Sequence, residues 1–253
     1  MLKKTLLIIT VMTILIVNLQ FTAEAQAVDE TLAMHLTFDE GKGKTAEDHS
    51  NFQNDGTLEG AEWVNGRIDK AVSFDGSSYV AVMPGAEVGI GLETTWAMWF
   101  KTDVEGQTAA LATLHGTLRV NLSGGRLQTN IWTNPGAAVW NTITSAFAPK
   151  SGEWYHVAVT WKEESGEGTI YVNGEEEITG PANGVMGFKG GRQLAIGAND
   201  QLSYPGTELF TGVIDDFRIY NRALSEAEIM ELIAALAVSP KAKLATTWGE
   251  VRR

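Results

Sequence analysis

The chain has 253 residues, no cysteine and a formal net charge of −12 at pH 7. The missing thiols exclude thiolate metal sites and cysteine nucleophiles. The acidic balance argues against nucleic acid as a partner, because binding it takes a basic stripe that displaces counterions.

Lys3 and Lys4 precede an apolar run from Leu6 to Val17, followed by small residues at Ala23, Ala25 and Ala27. This is the pattern of a cleaved export signal over 1–27, with a run too short for the ~20 residues of a spanning helix. The expected mature chain starts at Gln26 or Val28 and is secreted or held at the cell surface. It is not transmembrane, because no later stretch is long and apolar enough to span a bilayer. Export permits disulfides, but a domain of this size can rely on its core instead.

From Leu32 to Tyr220, alternating segments rich in β-branched and aromatic residues are separated by Gly, Asn, Asp and Pro. They predict strands at 32–38, 70–75, 78–83, 95–101, 109–114, 117–122, 126–132, 138–145, 154–162, 168–173, 176–179, 193–198 and 211–220. Asn173-Gly174 joins two of them, as the dipeptide that tolerates two positive φ angles in a two-residue hairpin. In His156 to Trp161 both faces are apolar or small, which suits a strand inside a two-sheet stack. Ser225, with Glu228 three residues on, is a capping-box pattern that predicts a helix over about 225–237. Its apolar face is Ile229, Leu232, Ile233 and Leu236, so the helix is expected to cap the sandwich. A tail follows over 238–253. One domain over 28–237 results.

Catalytic motifs are missing. There is no Gly-x-Ser-x-Gly elbow and no His-Glu-x-x-His helix. In the stretch Gly41 to Thr45, GKGKT, Phe38 stands where a phosphate loop needs its first glycine. His35, His49, His115 and His156 are scattered and read as structural. The oxygen-rich run from Asp48 to Gly56 lacks the spacing of a calcium-binding hand loop, and Asx turns explain it.

Several blocks together resemble laminin G-like domains of the concanavalin A-like lectin and glucanase type. They are the opening segment LAMHLTFDEGKGKTAEDHSNFQNDGTLEGAEWVNGRIDKAVSFDGSSYVAV, TWAMWFKTD, GEWYHVAVTW followed by TIYVNG, and LAIGAND leading to FTGVIDDFRIYNRALSEAEI. The resemblance implies an all-β fold: a two-sheet antiparallel jelly-roll sandwich, one sheet concave and one convex, with a short C-terminal helix. It also implies a calcium site, carried over onto Asp215, the Gly76 carbonyl, and Asp39 or Glu40 on the first strand. Calcium takes six to eight hard oxygen ligands, which carboxylates and carbonyls supply. The glucanase relatives carry a Glu-x-Asp-x-x-Glu or Glu-x-Asp-x-Glu run, which is absent here. Hydrolysis of a glycoside needs paired carboxylates, and adjacent acids such as Asp215 and Asp216 point to opposite faces of a regular strand.

For a ligand the candidates are the tryptophans. Trp132 and Trp140 flank the turn TNPGAAV among the polar residues Asn130, Thr133, Asn134 and Asn141, and so mark the expected binding surface; an outward ring there can stack on a sugar. The expected function is a secreted, non-catalytic binding module, carbohydrate-binding or adhesive and stabilised by calcium, whose partner is an extracellular glycan or a cell-surface protein. The alternatives are a ligand-free structural spacer and a glycoside hydrolase with an unrecognised carboxylate pair.

Overall fold

The computed structural model describes residues 29–85, 88, 93–134, 139–187, 192–200 and 206–238. The expected leader at 1–27, nearly all of the expected tail at 238–253 and the turn at 135–138 lie outside these residues. The described strands form two antiparallel sheets. One runs β14 (Glu175–Pro181), β13 (Glu167–Val172), β12 (Trp154–Lys162), β7 (Glu93–Thr102), β17 (Thr211–Tyr220), β5 (Lys70–Asp75) and β4 (Glu62–Asn65), and β1 (Leu32–Leu36) also pairs with β17. The other runs β11 (Val139–Thr144), β10 (Arg126–Asn134), β9 (Leu118–Ser123), β8 (Ala109–Leu114), β16 (Leu194–Ile196), β6 (Tyr79–Val82), β3 (Gly56–Glu59) and β2 (Thr45–Ala46), and β15 (Val185–Met186) also pairs with β10.

Alternation puts the core between the sheets. Trp96, Met98 and Phe100 of β7 face it, as do Val157, Val159 and Trp161 of β12. From the second sheet come Leu118, Val120 and Leu122 of β9 with Leu127 and Ile131 of β10. The indole N–H of Trp161 donates to the Ala182 carbonyl at 2.9 Å, so this fully buried ring leaves no unpaired donor. Apart from such polar groups the interior is apolar side chains whose removal from water stabilises the sandwich.

The strands missed in the sequence are β2, β3, β4 and β15. Each has only two to four residues, and β2, β3 and β4 carry polar or small ones, as in GTLE and EWVN. Their periodicity is too short to register, and they are strands because longer neighbours offer them hydrogen bonds. The expected hairpin at Asn173-Gly174 has φ of 52° and 91° at its two central residues.

The helix α1 (Glu226–Val238) starts where the capping box predicts. Ser225 N–H donates to Glu228 Oε2 at 2.8 Å, and Glu228 N–H donates back to Ser225 Oγ at 3.3 Å. Ile229 and Leu232 are buried beneath it. A Cβ on Gly174 would overlap Met230, so the hairpin turn packs directly against the helix. Among the described residues no helix is long and apolar enough to cross a membrane.

Asp48 organises the oxygen-rich loop as expected. Its two carboxylate oxygens accept from the N–H of His35, Ser50 and Asn54 and from the Ser50 hydroxyl, all at 2.8–2.9 Å. This buried carboxylate closes the loop onto β1 through these hydrogen bonds.

Candidate functional site

On β8 to β11, residues that alternate with the core positions face outward and line a groove of about 370 Å³. From β10 come Gln128 and Asn130, from β9 Arg119, Asn121 and Ser123, and from β8 Thr113. Trp140 of β11 forms one wall and stays 40% exposed. His115 meets its ring edge-on, with centroids 5.8 Å apart. At the other end Glu208 Oε2 pairs with Arg119 Nη2 at 2.6 Å and accepts from Asn199 Nδ2 at 2.8 Å.

The strand ladder holds this surface in register. Asn130 lies opposite both Arg119 and Thr142, and Gln128 opposite both Asn121 and Thr144. Asn130 Nδ2 donates to Thr142 Oγ1 at 2.9 Å, and Gln128 Nε2 donates to Thr144 Oγ1 at 2.8 Å. Asn121 Nδ2 donates to Gln128 Oε1 at 3.1 Å. Each amide is thereby oriented by a neighbour, which lowers the entropy lost when a ligand binds. Three buried atoms are left without a hydrogen-bond partner: Arg119 Nε, Asn121 Oδ1 and Thr113 Oγ1. These three atoms make no hydrogen bond within the protein and are open to a water or to a ligand's polar group.

Trp132 and Trp140 are direct cross-strand partners, as the two flanks of one hairpin must be. They differ in access. Trp132 is half-buried and covered by Gly187, where a Cβ would overlap its ring; Gly187 N–H also donates to the Trp132 carbonyl at 3.0 Å. Trp140 therefore carries the more exposed aromatic surface, and Trp132 lies beside it on the same face, partly covered. Among the groove residues that sequence reasoning missed are Thr113, His115, Arg119, Asn121, Gln128 and Glu208. The alternation of β9 and β10 would have flagged three of them as outward polar positions. Glu208 is remote in sequence and carried no signal.

The residues expected to hold calcium separate into two places. Asp39 Oδ1 accepts from Lys70 N–H at 3.0 Å, and Asp215 Oδ2 accepts from Arg67 N–H at 2.9 Å, so both clasp the turn at 66–70. Gly66 fits there because a Cβ would stand 2.6 Å from Asp215 Oδ2. Gly76 donates its N–H to the Phe210 carbonyl at 3.0 Å. Phe210 lies five positions from Asp215, roughly 16 Å along an extended chain. Gly76 therefore lies away from Asp215, whereas Asp39 and Asp215 both reach the turn at 66–70; among the described residues no group of three or more His, Asp or Glu side chains is placed to hold a metal. Melting curves in calcium and in a chelator test the cation that the resemblance implies: a rise of several degrees with calcium, lost in Asp215→Ala, is expected if Asp39 and Asp215 share it, and equal curves reject it.

A second polar cluster lies on the outer face of the other sheet. Between the core residues Ile214 and Phe217 the chain holds two residues instead of one, and the ladder of β17 with β7 shifts register there. Asp216 takes φ of 52° at this bulge, so Asp215 and Asp216 are not thrown to opposite faces as in a regular strand. Asp216 Oδ1 pairs with His35 Nε2 at 2.8 Å and accepts from Arg218 Nη2 at 3.1 Å. His156 packs edge-on to Trp99, with centroids 5.3 Å apart, and the Arg67 guanidinium lies 5.0 Å from the Trp99 ring centroid. Burial, reinforced by the Arg218 charge, pushes the His35 imidazole from its ordinary 6.5 to about 4. Burial does the same to His156. All four of His35, His156, Asp216 and Arg218 are closed off from solvent, so this cluster is a structural network.

The family model described as the concanavalin A-like lectin/glucanases superfamily matches residues 74–230, more than half of the chain. The chain belongs to this superfamily. Solved structures agree on the jelly-roll fold. Domain 4 of AbnA, a GH43 extracellular arabinanase from Geobacillus stearothermophilus, in complex with arabinotriose, is 21% identical with a TM-score of 0.62, covering 79% of this chain and 97% of that one. The binding domain of botulinum neurotoxin DC in complex with rat synaptotagmin II is 14% identical with a TM-score of 0.62, covering 83% of this chain and 52% of that one. A curated protein of Rattus norvegicus, the sushi, von Willebrand factor type A, EGF and pentraxin domain-containing protein 1, is 27% identical over 97 residues, which are 37% of this chain. The match spans only 3% of that relative's length. Superfamily members of this kind share a sandwich and differ in what their surfaces hold, so function has to be argued from the groove.

Proposed function

We propose that this concanavalin A-like domain is a non-catalytic carbohydrate-binding module of an exported protein, and that the groove walled by Trp140 is its sugar site. The observation that carries the reading is the combination of one exposed indole face with buried, unpartnered polar atoms in a single groove. Sugars present apolar C–H faces and hydroxyl edges, and these two kinds of surface match a ring that stacks and a floor that hydrogen-bonds. The solved neighbour in complex with arabinotriose supports a glycan as the ligand class. Against hydrolysis stands the groove's chemistry: Glu208 is the one carboxylate among its described lining residues, and Arg119 and Asn199 already engage it. Glycoside hydrolysis uses two carboxyl groups flanking the bond.

The test is retention of the secreted protein on immobilised polysaccharides, read with Trp140→Ala and Trp132→Ala. Trp140→Ala is expected to weaken retention by on the order of 1 kcal/mol, several-fold in affinity, with an unchanged melting curve. Trp132→Ala is expected to lower the melting temperature, since its covered ring packs within the fold. Full retention by the Trp140→Ala protein would remove the groove from the binding surface. Release of reducing ends from a polysaccharide, lost on Glu208→Gln, would make the domain an enzyme.

A further inference from the structure

Resting on the reading of the groove as a sugar site, we infer that it selects an uncharged sugar ring bearing neighbouring hydroxyls and rejects acidic sugars, and that the Arg119–Glu208 ion pair sets this preference. Three unsatisfied atoms define what the ligand has to supply. Arg119 Nε is a donor, Asn121 Oδ1 is an acceptor, and the Thr113 hydroxyl can act as either. They lie close together. Thr113 is the direct cross-strand partner of Arg119, and Asn121 is two residues further along the same strand on the same face. Two residues of strand span roughly 7 Å, and cross-strand partners are about 5 Å apart, which is the scale of a single sugar ring.

A hydroxyl both donates and accepts, so two hydroxyls on adjacent carbons can give a proton to Asn121 Oδ1 and take one from Arg119 Nε. A carboxylate or sulfate only accepts. It would meet Arg119 Nε but offer nothing to Asn121 Oδ1, and so would gain fewer hydrogen bonds here than a pair of hydroxyls does. The charge of the arginine is no invitation either. Glu208 stands 2.6 Å from Arg119 Nη2, so an incoming anion faces a neutralised pair whose negative member lines the same groove. The surrounding chain, at −12, adds to the repulsion. Trp140, at the far wall, then takes the apolar face of the same sugar chain.

Isothermal titration of the full secreted chain with two series of short linear oligosaccharides separates the possibilities. One series is neutral, from arabinan, xylan and β-glucan; the other is acidic, from polygalacturonate and a sialylated lactose. The wild type is expected to bind at least one neutral series and to bind every acidic probe at least tenfold more weakly. In Glu208→Gln the guanidinium charge is uncompensated, and the ratio of acidic to neutral affinity is expected to rise about tenfold. The double variant Arg119→Gln/Glu208→Gln removes both charges and is expected to return the ratio towards that of the wild type. Preference of the wild type for an acidic probe overturns the selectivity while leaving the groove a sugar site. A ratio unmoved by Glu208→Gln overturns the role of the ion pair. No binding in either series, with the fold intact, overturns the sugar site itself and the selectivity with it.

Discussion

Between pH 6.5 and pH 4 the domain is expected to lose on the order of 3 kcal/mol of stability for each of His35 and His156, because both are buried as neutral imidazoles. In the unfolded chain each takes up a proton near pH 6.5, whereas in the fold it does so only near pH 4. The unfolded state therefore binds more protons throughout this window. Stability is fully present above 6.5, falls as the pH drops, and has been lost in this respect once the pH passes 4. The groups that face His35 are Asp216, Arg218 and His49, and those that face His156 are Asp216 and Arg218. Asp216 raises both values but is outweighed by burial. Urea denaturation at intervals of half a pH unit measures the effect. Many carboxylates also titrate at the acid end, so the diagnostic quantity is the difference in slope between the wild type and His156→Phe. The variant, which keeps a ring against Trp99, is expected to flatten the pH dependence by about 1.4 kcal/mol per pH unit, the slope of one proton. Parallel curves for the two proteins would show that His156 is free to charge inside the fold.

The second large effect is expected from Asp216→Asn, which should destabilise the domain by roughly 3 kcal/mol at pH 7. Arg218 is buried, and Asp216 is the carboxylate that its guanidinium reaches, through Nε at 3.3 Å and Nη2 at 3.1 Å. Burial opposes the arginine's charge, and the neighbouring Asp216 and Tyr220 more than offset it. Removing the carboxylate charge leaves a buried cation without its counterion, whereas asparagine keeps the positive φ that the bulge requires. Most of the loss thus belongs to the stranded charge. Adding Arg218→Met is expected to restore a substantial part of the stability, and thermal or urea unfolding of the four proteins in this cycle gives the coupling directly. Additive losses would mean that the pair contributes little and that Arg218 finds another partner.

The two clusters account for different properties of one sandwich. The buried His35–Asp216–Arg218 network sits on one sheet, closed off from solvent, and bears on acid tolerance. The groove on the other sheet is open to solvent and bears on ligand choice. Substitutions at Trp140 and Asp216 are therefore expected to separate cleanly, the first in binding and the second in stability.

What the sequence by itself determined was everything carried by local periodicity and turn chemistry. Alternating segments specified the long strands, and the two apolar or small faces of β12 placed it inside a two-sheet stack. Asn173-Gly174 specified a hairpin and Ser225 with Glu228 the start of the helix, while the jelly roll was implied by the resemblance. Trp132 and Trp140 were also legible as a pair, since the two flanks of one hairpin have to meet. Only the tertiary structure decided which of the two was open, because Gly187, distant in the chain, covers Trp132. It also joined Glu208 to Arg119, and it brought His35 and Asp216 together across 181 positions. The resemblance suggested Asp215 as a cation ligand, and only the fold showed that its carboxylate also reaches the Arg67 N–H of a neighbouring turn. The reason is common to all of these. A strand's own pattern says which side chains share a face, but the partner placed across that face depends on sheet order, on a bulge such as the one at Asp216, and on loops whose contacts leave no local trace.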